Sequence, residues 1–207
     1  MTKKQTMRFV AACYGGVLAV VLLMNLFHFA ADSIGRMTGD ITTQQYDFST
    51  MQTQEIDVTS PTQGKATGGD PQLLLENFAG KIIELRFEIA YSKHPGEVNL
   101  YYKKAGEEYA DTKKIWGKAK SDGTYVFVLP RTKIDAVRID PTNIPGIEMT
   151  LKSFTVNAPR SFFSYFAFTY EGIFDYIVYT GLAAAFAGYF ISEYGTLVRR
   201  KFVKKEG

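Results

Sequence analysis

The sequence predicts a membrane-anchored all-β protein, an antiparallel β-sandwich or jelly roll of about eight strands set between two transmembrane helices. Three observations carry this. Phe9 to Ala31 runs 23 residues without a charge, and at about 1.5 Å per residue it reaches roughly 35 Å, enough for a hydrocarbon core of roughly 30 Å. A second apolar stretch lies near the other end, where Glu171 and Asp175 are the only charges between Ser161 and Ser192. Between the two, short segments alternate apolar and polar residues, turn signals recur about every ten residues, and no amphipathic helix intervenes.

The flanking charges orient both spans. Lys3, Lys4 and Arg8 precede the first and Asp32 follows it, while Arg199, Arg200, Lys201, Lys204 and Lys205 follow the second. Positive residues stay on the cytoplasmic side, so both termini are expected there and the middle outside, in the cell envelope. The expected layout is a tail at 1–8, a helix at 9–31, an exported domain at 32–160, an interfacial aromatic segment at 161–171, a helix at 172–194 and a basic tail at 195–207. A cleaved signal peptide fits less well, because its apolar region is about 7–15 residues long and ends in a small-x-small site that His28-Phe29-Ala30-Ala31 lacks.

The net charge of +3 hides an asymmetry: residues 32–160 hold 16 Lys and Arg against 17 Asp and Glu, so the basic excess belongs to the ends. That pattern suits an anionic inner leaflet and gives no sign of nucleic-acid binding. Cys13 is the one cysteine and lies in the first span, and the two histidines are His28 and His94. The exported domain therefore has no disulfide, no zinc-ligand set and no histidine-dependent triad. It also lacks a Gly-rich phosphate loop and EF-hand spacing, so no cofactor, no metal and no catalysis are expected.

Taken in order, residues 32–40 read as a polar connector. Tyr46 with Phe48 and Ile56 with Val58 alternate as strands, and Thr59 to Pro71 reads as a loop rich in Ser, Thr, Gly and Pro. Ile82 to Tyr91 is the clearest strand: Leu85, Phe87, Ile89 and Tyr91 face one way, with Glu84, Arg86 and Glu88 on a wet face. Val98 to Tyr102 follows, then a polar loop from Glu107 to Lys120 that carries Trp116. Thr124 to Leu129 is continuously apolar and predicts a strand buried on both faces. Ile134 to Asp140 and Ile147 to Val156 complete the set, and the change of phase between Leu151 and Phe154 predicts a bulge near Lys152 and Ser153.

In the spans, Gly15, Gly16, Gly181 and Gly188 permit close helix contact with a larger membrane protein. Asn25 and His28 share one helical face, as do Glu171 and Asp175, at the outer boundary, where helix contact, snorkelling or pairing with a partner's base accommodates them. Phe162, Phe163, Tyr165, Phe166, Phe168 and Tyr170 form an aromatic belt, expected as an interfacial helix or as the first turns of the span.

Five segments come in a suggestive order: Gly69-Asp70-Pro71-Gln72-Leu73, Val98-Asn99-Leu100-Tyr101-Tyr102-Lys103, Tyr125 to Pro130, Val137-Arg138-Ile139-Asp140-Pro141 with Pro145-Gly146, and the closing strand 147–156. Over residues 40–157 this resembles the jelly-roll domains, similar to carbohydrate-binding modules, of bacterial membrane glycosyltransferases and other surface-polysaccharide assembly proteins. No catalytic domain accompanies it. The resemblance implies a non-catalytic accessory subunit that contacts glycan or glycan-lipid, or braces a membrane synthase. Sugar binding needs ring faces and planar polar groups. Trp116, Tyr101, Tyr109 and Tyr125 are the available rings, with Arg138, Asp140 and Asp70 as polar partners; Tyr125 and Tyr102 read as core, and Trp116 is the favoured ring. A purely structural subunit bound to a larger membrane protein through its helices is the alternative.

Overall fold

The computed structural model describes residues 3–76, 78, 80–167 and 170–203. It divides into two compact units, Met1–Ala31 with Arg160–Gly207, and Asp32–Pro159. Helix α1 spans Lys3–Thr38. Eleven strands follow: β1 Gln44–Gln45, β2 Gln52–Gln54, β3 Ile56–Ser60, β4 Gln63–Ala66, β5 Gln72–Glu76, β6 Glu84–Tyr91, β7 Asn99–Lys103, β8 Lys114–Trp116, β9 Thr124–Val128, β10 Ala136–Asp140 and β11 Glu148–Val156. Helix α2 spans Tyr170–Val203.

The strands form a β-sandwich of two antiparallel sheets. The six-stranded sheet runs β3-β4-β11-β6-β9, with β1 also on β11, and the five-stranded sheet runs β2-β5-β10-β7-β8. Alternation sets which side chains enter the space between them. Leu85, Phe87 and Ile89 from β6 meet Leu73 and Leu75 from β5, Leu100 from β7 and Val137 and Ile139 from β10, all buried. Phe87 sits at the centre, stacked on Tyr125 at 5.1 Å and Phe127 at 5.8 Å and edge-on to Phe154 at 6.0 Å.

In β11 the register shifts between Leu151 and Ser153 where the sequence places the bulge. The extra residue lets Met149 and Leu151 before it, and Phe154 and Val156 after it, face the same core.

Several expectations are corrected. The supposed loop 59–71 contains β4, whose inward positions are Gly64 and Ala66, too small to register as an apolar pattern. β9 is buried on one face only, with Val128 63% exposed. On β6 the wet face is incomplete: Glu84 is 3% exposed and accepts from Arg86 Nε at 2.5 Å. The polar connector 32–40 is helical as far as Thr38. Its residues dock on the sandwich: Asp32 is buried and accepts both guanidinium nitrogens of Arg131, while Arg36 donates to Asn157 O at 3.0 Å and Ala158 O at 3.1 Å. Gly39, at φ 81°, then ends the helix in the left-handed conformation that glycine adopts without a Cβ clash.

In the other unit α1 and α2 pack against each other. Tyr14 donates to Ile177 O at 2.8 Å, Tyr176 donates to Tyr14 O at 2.6 Å, and their rings meet edge-on at 5.7 Å. Both helices are long and apolar enough to cross a membrane, over Lys4–Thr38 and Gly172–Tyr194. The aromatic segment forms a short 3-10 turn, Phe162–Tyr165, before α2, with Phe29 edge-on to Phe162 at 4.9 Å and to Tyr165 at 5.4 Å. Phe168 lies outside the described residues.

Candidate functional site

The outward residues of the five-stranded sheet form the candidate site. Alternation sends Val98 and Leu100 inward and therefore Asn99, Tyr101 and Lys103 outward on β7. The same rule exposes Arg138 between Val137 and Ile139, and Lys114 and Trp116 on either side of Ile115. Antiparallel register aligns these residues in two rows crossing the strands. One row is Trp116, Asn99, Asp140; the other is Lys114, Tyr101, Arg138, Leu74.

Trp116 is thus on an edge strand, not in the polar loop the sequence suggests. A three-residue strand with a single core residue is too short to show alternation. The ring is 57% exposed. Gly117 sets the path of the chain beyond it: the Gly117 amide donates to Val98 O at 2.7 Å, and a Cβ there would lie 2.7 Å from that oxygen and 3.0 Å from the Tyr125 and Phe127 rings. No larger residue permits this close approach without a shift.

The polar partners form one network. Arg138 donates to Asp140 through Nε at 2.7 Å and Nη2 at 2.8 Å, and Nη2 reaches Asp70 Oδ1 at 3.0 Å. Gln72 donates to the other Asp70 oxygen at 2.6 Å. Burial pushes the Asp140 carboxyl up, and the Arg138 bonds oppose it. The same bonds raise the Arg138 guanidinium and keep it charged.

Cations cap the rings. Lys114 Nζ lies 3.9 Å from the centroid of Trp116 and 5.5 Å from that of Tyr101, and the Arg138 guanidinium lies 5.0 Å from Tyr101. Tyr101 also donates to Asp111 at 3.5 Å. Lys103 sits 5.0 Å from the centroid of Tyr109, whose hydroxyl is buried with no hydrogen-bond partner among the described residues and is pushed up to about 12 by burial and, to a lesser degree, by Glu76. Asn99, 5% exposed, leaves its carbonyl oxygen unpartnered in the same way.

All six candidates named from the sequence, Trp116, Tyr101, Tyr109, Arg138, Asp140 and Asp70, therefore gather at this one sheet. Lys114, Asn99 and Gln72 belong with them and were missed; the alternation of Val98-Asn99-Leu100-Tyr101 already points Asn99 the same way as Tyr101. Tyr125 is core, at 7% exposure. Such a face offers flat apolar rings beside fixed hydrogen-bonding groups. Among the described residues no three of His, Cys, Asp and Glu cluster as a metal would need.

The helix residues are dispersed. A Cβ on Gly181 would lie 2.9 Å from the Tyr14 hydroxyl and one on Gly188 3.6 Å from Phe9, so both glycines face α1 of the same chain. Gly15 and Gly16 face open space. Asn25 is half-buried, and His28, whose Nδ1 is buried and has no partner among the described residues, borders an apolar groove with Val20, Leu23, Met24 and Phe27. Asp175 is exposed, and the side chain of Glu171 lies outside the described residues.

No family model and no curated protein matches the chain. Among solved structures it is similar to a low-affinity xylan-binding module of family 86 from Roseburia intestinalis, at 12% identity and a TM-score of 0.39, over 56% of this chain and 94% of that one. It is similar to a family 29 carbohydrate-binding module at 13% identity and a TM-score of 0.37, over 56% and 91%. A family 6 module from Clostridium stercorarium, in complex with cellobiose, follows at 7% identity and a TM-score of 0.32, over 58% and 95%.

Proposed function

We propose that this chain is a membrane-anchored, non-catalytic accessory subunit of a bacterial cell-envelope polysaccharide synthesis or glycosyltransferase complex, whose exported jelly-roll sandwich contacts glycan or glycan-lipid. The observation that carries the glycan part is the outer face of the five-stranded sheet: Trp116 and Tyr101 beside Arg138, Asp140, Asp70 and Asn99. Aromatic faces pair with the apolar faces of sugar rings, and planar carboxylate, guanidinium and amide groups take hydroxyls in fixed directions. The anchoring part is supported by two helices of spanning length and composition and by the basic residues at both ends.

Titration of cell-wall polysaccharides into the full chain in detergent micelles, following the emission of Trp116, tests the glycan part. Saturable shifts that vanish in Trp116→Ala are expected. Affinity capture from a native membrane tests the complex, with a multi-span glycosyltransferase expected among the retained proteins. A purely structural subunit is the second reading, favoured by Gly15 and Gly16, whose faces are open to another helix. It replaces the first if no glycan shifts Trp116 while a membrane partner is still retained.

A further inference from the structure

The ammonium of Lys114 rests on ring faces and makes no ion pair within 4 Å among the described residues, although its charge acts on Asp140, and it lies where a ligand stacked on Trp116 or Tyr101 would reach it. Its surroundings are the basic part of the domain. Residues 99–120 hold six lysines against Glu107, Glu108 and Asp111, whereas the rest of residues 32–160 hold ten basic against fourteen acidic groups. Of those three carboxylates, Glu107 is taken by Lys113 and Asp111 by Tyr101. Across the sheet, Arg138 is neutralised by Asp140 and Asp70. Lys114, like Lys103 over Tyr109, is thus a cation of the face without an ion pair among the described residues, and it is the one that lies over Trp116. One further group is unsatisfied: Asn99, opposite Trp116 in the register, has a buried carbonyl oxygen lacking a donor among the described residues. The oxygen is shut off from solvent as it stands, so a ligand hydroxyl supplies the missing donor once the side chains over it move aside.

We infer that the ligand of this face is an acidic polysaccharide, with a sugar ring on Trp116 and Tyr101, its anionic group on Lys114 and a hydroxyl donating to Asn99. The inference rests on the glycan reading above and adds the ligand's charge. The ammonium is held by ring faces and the nearby Asp140 charge and not by an ion pair, so an anion competes well for it. A neutral sugar must displace or skirt the same ammonium without that return.

The test compares one backbone with and without its charge. Polygalacturonate and its methyl ester are titrated into the full chain in detergent micelles, reading Trp116 emission, with poly(glycerol phosphate) as a phosphate-bearing arm and xylan as a neutral one. The acid form is expected to bind about tenfold tighter than the ester at about 50 mM salt, an advantage largely lost by about 500 mM. Lys114→Gln should remove the advantage, bringing acid and ester to equal affinity, and Lys114→Arg should keep it. Asn99→Ala should weaken acid and ester alike. Tight binding of poly(glycerol phosphate) lost in Lys114→Gln supports the inference with phosphate as the anion. Equal binding of acid and ester, or a preference that survives Lys114→Gln, overturns the inference while glycan binding stands. If none of the four polymers shifts Trp116, the glycan reading falls and the inference with it.

Discussion

Asn157 gives the sharpest test of how the sandwich is held. It is 2% exposed and its backbone is left-handed, at φ 55°. The side-chain amide donates to Lys81 O at 2.8 Å and Thr42 O at 3.1 Å and accepts from Ile83 N at 2.9 Å, tying the end of β11 to the entry of β6 and the segment before β1. Asn157→Ala orphans the buried Ile83 amide, at about 1–3 kcal/mol, and two part-buried carbonyls that water can partly satisfy, for roughly 2–5 kcal/mol in all. A Cβ without a local hydrogen bond in the left-handed region adds about 1–2 kcal/mol. Asn157→Gly loses the same bonds without that addition, so it should be the milder change by about 1 kcal/mol. Small domains have about 5–15 kcal/mol in all, so Asn157→Ala should bring the sandwich close to unfolding. Urea titration of the full chain in micelles, read by the near-ultraviolet signal of its packed aromatic residues, measures both variants. A loss below about 1 kcal/mol for Asn157→Ala, or a larger loss for Gly than for Ala, would refute the account.

Phe87→Ala should cost about 3–5 kcal/mol, because three rings lose a neighbour, whereas Glu88→Ala breaks only an exposed pair with Lys152 and should cost under about 1 kcal/mol; urea midpoints separate them. A fragment of residues 32–160 should melt well above one of residues 40–157, since the shorter one lacks Asp32, Arg36 and Ala158; equal melting would mean that the docked helix end contributes nothing. Chelator and reductant should leave the melting temperature of the full chain unchanged, and a drop of many degrees with chelator would reveal a bound calcium. In a Cys13→Ser background, a cysteine at Ser121 should react with an impermeant thiol reagent in intact cells and one at Glu206 should not. The reverse pattern would invert the proposed topology.

Where large apolar residues alternate, the architecture could be read directly. β6 shows its inward Leu85, Phe87 and Ile89, and even the bulge in β11 is visible, because a phase change between Leu151 and Phe154 has no other extended solution. The features that escaped depended on contacts distant in sequence. β4 turns inward only Gly64 and Ala66, and β8 only Ile115, so neither carries a pattern. Residues 32–38 are helical because Asp32 and Arg36 find Arg131 and two carbonyls at 157 and 158, about a hundred residues or more away. For the candidate site, residue types were legible but their company was not. Asp70, Tyr101, Trp116 and Arg138 become neighbours only because β10 lies between β5 and β7, and sequence alternation is silent on strand order.

The two Arg36 bonds join the places where the chain enters and leaves the sandwich, a few residues from Asp32 at one end and from Pro159 at the other. Tension applied between those two residues by pulling tips meets this clasp before the sheets. The eleven strands then hang beside the load path, and their hydrogen bonds carry force only after the clasp opens. Single-molecule extension between Asp32 and Pro159 should show a small early yield in the native chain, absent in Arg36→Ala, before the main rupture of the sandwich.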